Sequence, residues 1–158
     1  MDRIGFGYDS HRFAGGRPLI LGGCQIEHAR GLAGHSDADV LLHAVTDAIL
    51  GATGCDDIGS LFPDHDPDLA GAYSATFVRH AIDLARQKGY RVSNCDVTVI
   101  AETPKLGPHK KVIRANLAEL LEVPEDAVSI KATTNEGMDA VGHGEGIVVM
   151  AIVGMAAC

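Results

Sequence analysis

The stretch Gly34-His35-Ser36-Asp37-Ala38-Asp39-Val40-Leu41-Leu42-His43-Ala44 sets two histidines and two aspartates around the start of an apolar helix. Asp39, His43 and Asp47 recur at i, i+4 and i+8, so they share one helix face whose neighbours are Leu, Val, Ile and Ala. A polar stripe on a core-seeking helix costs burial energy unless its groups find partners. Asp9-Ser10-His11, just after a predicted strand near the N-terminus, offers them. Asp9, His11 and His43 together supply one oxygen and two nitrogens, a three-ligand set for a divalent metal with a fourth position open to substrate. Each piece alone also has an ordinary reading. An Asp-x-His pair arises by chance, and a helical histidine on an apolar face is often a hydrogen-bonded core residue.

The pattern outside this stretch predicts alternating elements. Residues 3–8 alternate as a first strand, and residues 18–21 and 24–26 form a hairpin about Gly22-Gly23. Ser36 is the predicted N-cap of a helix running to about Gly54. Residues 54–73, rich in Gly, Asp and Pro, read as a long functional loop. Ser74 is the predicted cap of a second helix ending near Lys88, and Pro108 starts a third that ends near Glu122. Residues 96–102, 128–132 and 146–153 read as strands. This order implies an α/β fold, more closely an α+β sandwich, with a mixed sheet covered by helices on one face. Three helices cover only one side, so the other face is expected to be buried in an oligomer.

At 158 residues the chain is expected to be one domain, 1–158. It is 46% hydrophobic with 4% aromatics and no Trp, so its core must be aliphatic. No segment reads as a secretory signal, and the longest apolar run, residues 146–157, is too short for a bilayer. The four cysteines lack CxxC spacing and read as free thiols, which places the protein in the cytoplasm and not at a membrane. A net charge of −8 argues against nucleic-acid binding. Phosphate must then be met locally, by metal ions, backbone amides and a few lysines.

Two further motifs fit that need. Thr133-Thr134-Asn135-Glu136-Gly137 follows a strand with hydroxyl donors and a hard carboxylate, suited to phosphate with Mg²⁺, although a polar turn accounts for it equally. Ala101-Glu102-Thr103-Pro104-Lys105-Leu106-Gly107-Pro108 leaves another strand; Lys105 could meet a phosphate and its amides a base edge, while a solvated lysine is the ordinary alternative. Gly142-His143-Gly144-Glu145-Gly146 is glycine-dense but lacks the form of a dinucleotide or P-loop motif.

Through GFGYDSHRF, GLAGHSDADVLLHAVTDAILGA, DIGSLFPDHDPDLAGAYS, VTVIAETPKLGPH, IKATTNEG and GHGEGI, in this order, the chain resembles the 2-C-methyl-D-erythritol 2,4-cyclodiphosphate synthase family of non-mevalonate isoprenoid biosynthesis. The resemblance implies a homotrimer with active sites at its subunit interfaces. It implies a lyase that converts 4-diphosphocytidyl-2-C-methyl-D-erythritol 2-phosphate to the 2,4-cyclodiphosphate with release of CMP. Asp9, His11 and His43 match its zinc ligands and Glu136 its magnesium ligand, one Zn²⁺ (or another divalent metal) and one Mg²⁺ (or Mn²⁺) per site. His35 and Thr134 match transition-state stabilisers, and Ser36 lies beside His35 in a substrate-contacting loop. Asp57, Ile58 and Gly59 with Phe62, Pro63, Asp64, His65 and Asp66 match the methylerythritol pocket. Ala101, Pro104, Lys105, Leu106 and Gly107, with Thr133, Thr134 and Asn135, match the part of the site around the cytidine and diphosphate, which a neighbouring subunit contributes. Where many members carry an aromatic residue and an arginine near the trimer axis, this chain has Ala140 and His143. The alternative is a metal- and nucleotide-binding module, or an isoprenoid-phosphate sensor, without turnover.

Overall fold

The computed structural model describes residues 2–158. Its first strand, β1 (Arg3–Ala14), is longer than the alternation alone predicts and carries Asp9 and His11 within it. Strand geometry sends successive side chains to opposite faces, so Gly5, Gly7, Asp9, His11 and Phe13 line one face of β1. Helix α1 (Val40–Ala52) lies on that face. A Cβ built on Gly5 would overlap the Ala48 carbonyl, and one on Gly7 the Ala44 carbonyl. Only glycine lets the helix backbone come this near.

Among the described residues five strands form one sheet in the order β4 (Gly31–Leu32), β1, β7 (Gly146–Ala157), β5 (Tyr90–Ile100), β6 (Val128–Thr133). β5 and β6 run parallel and the other pairs antiparallel. β2 (Leu19–Leu21) and β3 (Cys24–Ile26) form the expected hairpin on Gly22-Gly23, whose φ angles of 60° and 73° suit glycine. Helices α1, α3 (Ser74–Gln87) and α4 (Lys110–Leu121) cover one face of the sheet. The core between them is aliphatic, from Val97, Val99, Val149, Ala151 and Val153 to Leu41, Ile49, Val78 and Leu117. On the opposite face Ile4 is 72% exposed and Phe6 60%, with Tyr8, Met150 and Ile152 beside them. The mixed sheet with helices on one face is therefore as expected.

Several helix ends differ from expectation. The N-cap of α1 is Asp39, whose side chain accepts from the Leu42 amide, and not Ser36. Tyr73 precedes α3 without a side-chain cap, because the Ser74 hydroxyl is engaged elsewhere. Pro108 lies in a 3-10 turn, Gly107–His109, that leads into α4. The long loop holds a short helix, α2 (Ile58–Leu61), and a 3-10 turn, Pro67–Leu69. A further short helix, α5 (Asp139–Gly142), went unpredicted. None of the described helices is long and apolar enough to cross a membrane.

The close approach of α1 yields a test. Gly7→Ala should lower unfolding stability by about 1–3 kcal/mol, as over-packing does. Gly15→Ala, where an added Cβ meets nothing within 4 Å, should leave it unchanged. Denaturant unfolding of both variants measures the difference.

Candidate metal centre and substrate pocket

On β1, Asp9 and His11 are two residues apart and so share a face, and α1 brings His43 down beside them. The Asp9 Oδ2 lies 3.0 Å from His11 Nε2 and 3.1 Å from His43 Nδ1. These three ligand atoms all fall within 4.8 Å of one another, and no other such group of three His, Cys, Asp or Glu occurs among the described residues. His11 Nδ1 is 2.5 Å from the Ala33 carbonyl, which can only accept, so that nitrogen carries the proton and Nε2 faces the cluster. His43 Nε2 is likewise turned outward, 2.8 Å from the Ser74 hydroxyl. One carboxylate and two correctly oriented ring nitrogens fit a divalent metal.

The electrostatics agree. Burial works to raise the Asp9 carboxyl, but its hydrogen bonds and charge pairing with His11 and His43 outweigh this and hold it at about 2. Burial opposes the proton on His11, yet the Asp9 hydrogen bond and the Ala33 carbonyl raise its pKa above 6.5. Metal-free, the cluster thus holds a proton where a cation fits.

The three residues open into a cavity of about 330 Å³ that His35, Ser36, Ile58, Gly59, Phe62, Pro63 and Asp64 also line. His35 donates through Nε2 to the Asp66 carbonyl at 2.8 Å, which turns its other ring nitrogen free. Asp57, His65 and Asp66 are not on the wall. The Asp57 side chain caps α2 through the Ser60 amide, and the Asp66 side chain caps the Pro67–Leu69 turn. Sequence reasoning missed Leu69 and Phe77, which complete the wall. Phe77 stacks on Phe62 at 4.4 Å between ring centroids, a pairing across 14 intervening positions that no local pattern announces.

Asp39 and Asp47, on the same helix face as His43, bond to other segments and not to its ring. Asp39 is fully buried and accepts the Gly22 amide at 3.0 Å and the Gly23 amide at 2.6 Å, as well as capping α1. Burial pushes its carboxyl up while those amides pull it down. Asp47 accepts the Ile58 amide at 2.8 Å and so fixes the start of α2.

A second cavity, of about 340 Å³, opens at the carboxyl ends of the parallel pair β5 and β6. Ala101, Pro104, Lys105, Leu106, Gly107, Thr133 and Thr134 line it, and Lys110 joins Lys105 as a second cation. Asn135 and Glu136 lie on the turn that follows. Its shape is held by Glu102, whose carboxylate accepts the Asn135 amide at 2.9 Å. Glu136 sits at φ 53°, an uncommon conformation for a residue with a Cβ. The two cavities share no lining residue. A single chain therefore does not bring Thr134 and Glu136 to Asp9, His11, His35 and His43. Ala140 borders a third cavity of about 600 Å³ with Tyr8, Arg12, Arg30 and Glu145, while His143 is exposed at the end of α5.

A family model described as the YgbB family matches residues 2–156. Over 149 residues the chain is 54% identical to the 2-C-methyl-D-erythritol 2,4-cyclodiphosphate synthase of Salinibacter ruber, a match covering 94% of this chain and 95% of that protein. The solved structure of the bifunctional IspDF from Campylobacter jejuni matches with a TM-score of 0.96 at 40% identity, over 100% of this chain and 43% of that longer one. A CDP complex of IspF from Plasmodium falciparum matches with a TM-score of 0.86 at 35% identity, over 99% of this chain and 96% of that one.

The paired shifts at Asp9 and His11 set a pH window for the metal-free protein. The Asp9 contribution is present above 3.8 and lost as pH falls towards about 2, a drop of roughly 2 kcal/mol. The His11 contribution is complete below 6.5 and lost as pH rises through its higher folded value. Stability from this cluster should therefore peak between about pH 4 and 6.5 and fall as pH rises beyond that through the raised His11 value. Urea unfolding of the metal-free protein should trace that fall, and Asp9→Asn should flatten it. Added divalent metal should reverse the alkaline loss, because metal binds the deprotonated imidazoles.

Proposed function

Because the chain belongs to the YgbB family, we propose that it catalyses the reaction for which its relatives are named. It cyclises 4-diphosphocytidyl-2-C-methyl-D-erythritol 2-phosphate to 2-C-methyl-D-erythritol 2,4-cyclodiphosphate and releases CMP, as a phosphorus–oxygen lyase of isoprenoid biosynthesis. The observation that carries this reading is the convergence of Asp9, His11 and His43 in a cavity walled by His35, Ser36 and the Ile58–Asp64 segment.

In the reaction a 2-phosphate oxygen forms a bond to the β-phosphorus. The bond from that phosphorus to the bridging oxygen breaks, and CMP leaves with the electron pair. No protein nucleophile is needed, so the residues act by positioning and by offsetting charge. Divalent metals held by Asp9, His11 and His43, with Zn²⁺ the proposed occupant, and by Glu136, with Mg²⁺, would neutralise the phosphate oxygens drawn together in the transition state. His35 is oriented by the Asp66 carbonyl on the wall of the cavity, where it would stabilise the transition state. Ile58, Gly59, Phe62 and Pro63 enclose the methylerythritol portion. Lys105 and Lys110 attract the diphosphate, while Thr133 and Thr134 offer hydroxyl donors to it. Residues 101–107 hold the cytidine through backbone groups. Held there, the nucleotide contributes remote binding energy to the geometry at phosphorus.

The same proposal makes the chain, residues 1–158 taken as one synthase domain, a homotrimer. Two observations support this: the uncovered apolar sheet face around Ile4, Phe6, Tyr8 and Ile152, and the two half-sites with no residue in common. Nucleotide half and metal half would meet across an interface. Four free cysteines fit a reducing compartment, and we place the enzyme in the cytoplasm.

His43→Ala should lose its tightly bound metal and CMP release by more than about 100-fold while staying folded. CMP release at the wild-type rate from a metal-free His43→Ala protein would refute the assignment, and nucleotide binding without CMP release by the wild type would leave only a binding module. Mixed trimers of His43→Ala and Lys105→Ala subunits should recover activity that neither variant has alone. Verified mixed trimers without recovery would refute the shared site.

A further inference from the structure

We propose that Asp37 and Ser74 form a relay that locks the His43 ring in one tautomer and one orientation, so that both are positioning residues for the metal centre. Ser74 opens α3 and is fully buried, 31 positions away from His43. Its amide donates to Asp37 Oδ2 at 3.1 Å, and its hydroxyl donates to the other Asp37 oxygen. A hydroxyl has one proton to give. With that proton committed to Asp37, the Ser74 oxygen can only accept from His43 Nε2, 2.8 Å away. Nε2 therefore carries a hydrogen, and in the neutral ring Nδ1 is bare and aimed at Asp9 Oδ2.

Ser36 strengthens the arrangement from the other side. Its hydroxyl lies 3.3 Å from His43 Nε2 and accepts the Ala38 amide at 3.2 Å. Asp37 in turn is fixed by its own amide, which donates to the Ala72 carbonyl at 3.0 Å. The relay thus ties three segments to one imidazole: residues 36–39, helix α1 and the point where the long loop returns into α3. His11 reaches the same result by a different route, through the Ala33 carbonyl. A carboxylate behind the hydroxyl makes the ring a better electron donor as well as a fixed one, and such outer partners commonly contribute 10–100-fold (an order-of-magnitude range, roughly) to metal affinity.

The inference rests on the metal-site reading of Asp9, His11 and His43. It is tested on the full chain by zinc affinity in competition with a chromophoric chelator, alongside the melting temperature of the metal-free protein. Ser74→Ala and Asp37→Asn should each weaken zinc by roughly 10–100-fold while the metal-free melting temperature holds. If Ser74→Ala does not fold, Asp37→Asn, which keeps the shape of the side chain, carries the same measurement. Wild-type zinc affinity in either folded variant would overturn the relay, as would a loss of affinity that only follows a loss of metal-free stability. Retention of zinc by His43→Ala would instead overturn the metal site itself, so the two failures are distinguishable.

Discussion

Everything in this protein hangs on how near α1 comes to β1. A strand advances about 6.7 Å for every two residues, and a helix about 6.0 Å for every four. Glycines two apart on β1 and alanines four apart on α1 therefore keep step over a short distance. Gly5 faces Ala48 and Gly7 faces Ala44, with no side chain between the backbones. The next places on β1 along that row are Asp9 and His11. The helix arrives there at its first turn, which carries His43, and the short spacing lets an imidazole reach the carboxylate at 3.1 Å.

Holding a helix so deep has consequences for its polar face. α1 is apolar on nearly every side and buries 10 residues, so the stripe made by its cap Asp39 and the half-buried His43 and Asp47 needs partners. Each takes a different one. Asp39 gathers the amides of the Gly22-Gly23 turn and its own first turn; His43 meets Asp9 and Ser74; Asp47 takes the amide that starts α2. The stripe is a set of tie-points that brings a hairpin, the metal centre and the pocket loop into register with one rigid element. Burial raises the carboxyls of both Asp39 and Asp47, a cost that the amide hydrogen bonds offset.

The sheet that carries the site also divides it. β1 carries the candidate metal ligands on one side, and the second cavity lies at the carboxyl ends of β5 and β6 on the other. A chain that gathers three phosphate groups while bearing a net charge of −8 must place its few cations with care. Lys105 and Lys110 stand at the cavity beside β5 and β6, and the candidate metal ligands stand at the other. The bare apolar face around Ile4, Phe6 and Ile152 is the surface on which the proposed trimer would join the two cavities.

Local periodicity settled what the sequence alone could say. An Asp-x-His pair on a strand necessarily shares a face, and a histidine four residues from an aspartate on an apolar helix necessarily lies on one stripe, so the ligand set was legible from spacing. The hairpin was legible because Gly22-Gly23 requires positive φ, and the aliphatic core because aromatics are scarce. The helix caps were misplaced for a physical reason. Ser36 and Ser74 have the chemistry of capping residues, but their hydroxyls lie against the His43 ring, a partner outside their own segments. The same applies to Phe77 on Phe62, and to Asp39 and Asp47, whose partners sit in other loops. Which residues could bind metal was written in short-range pattern; which groups orient those ligands depended on packing between segments tens of residues apart, and only the tertiary structure decided it.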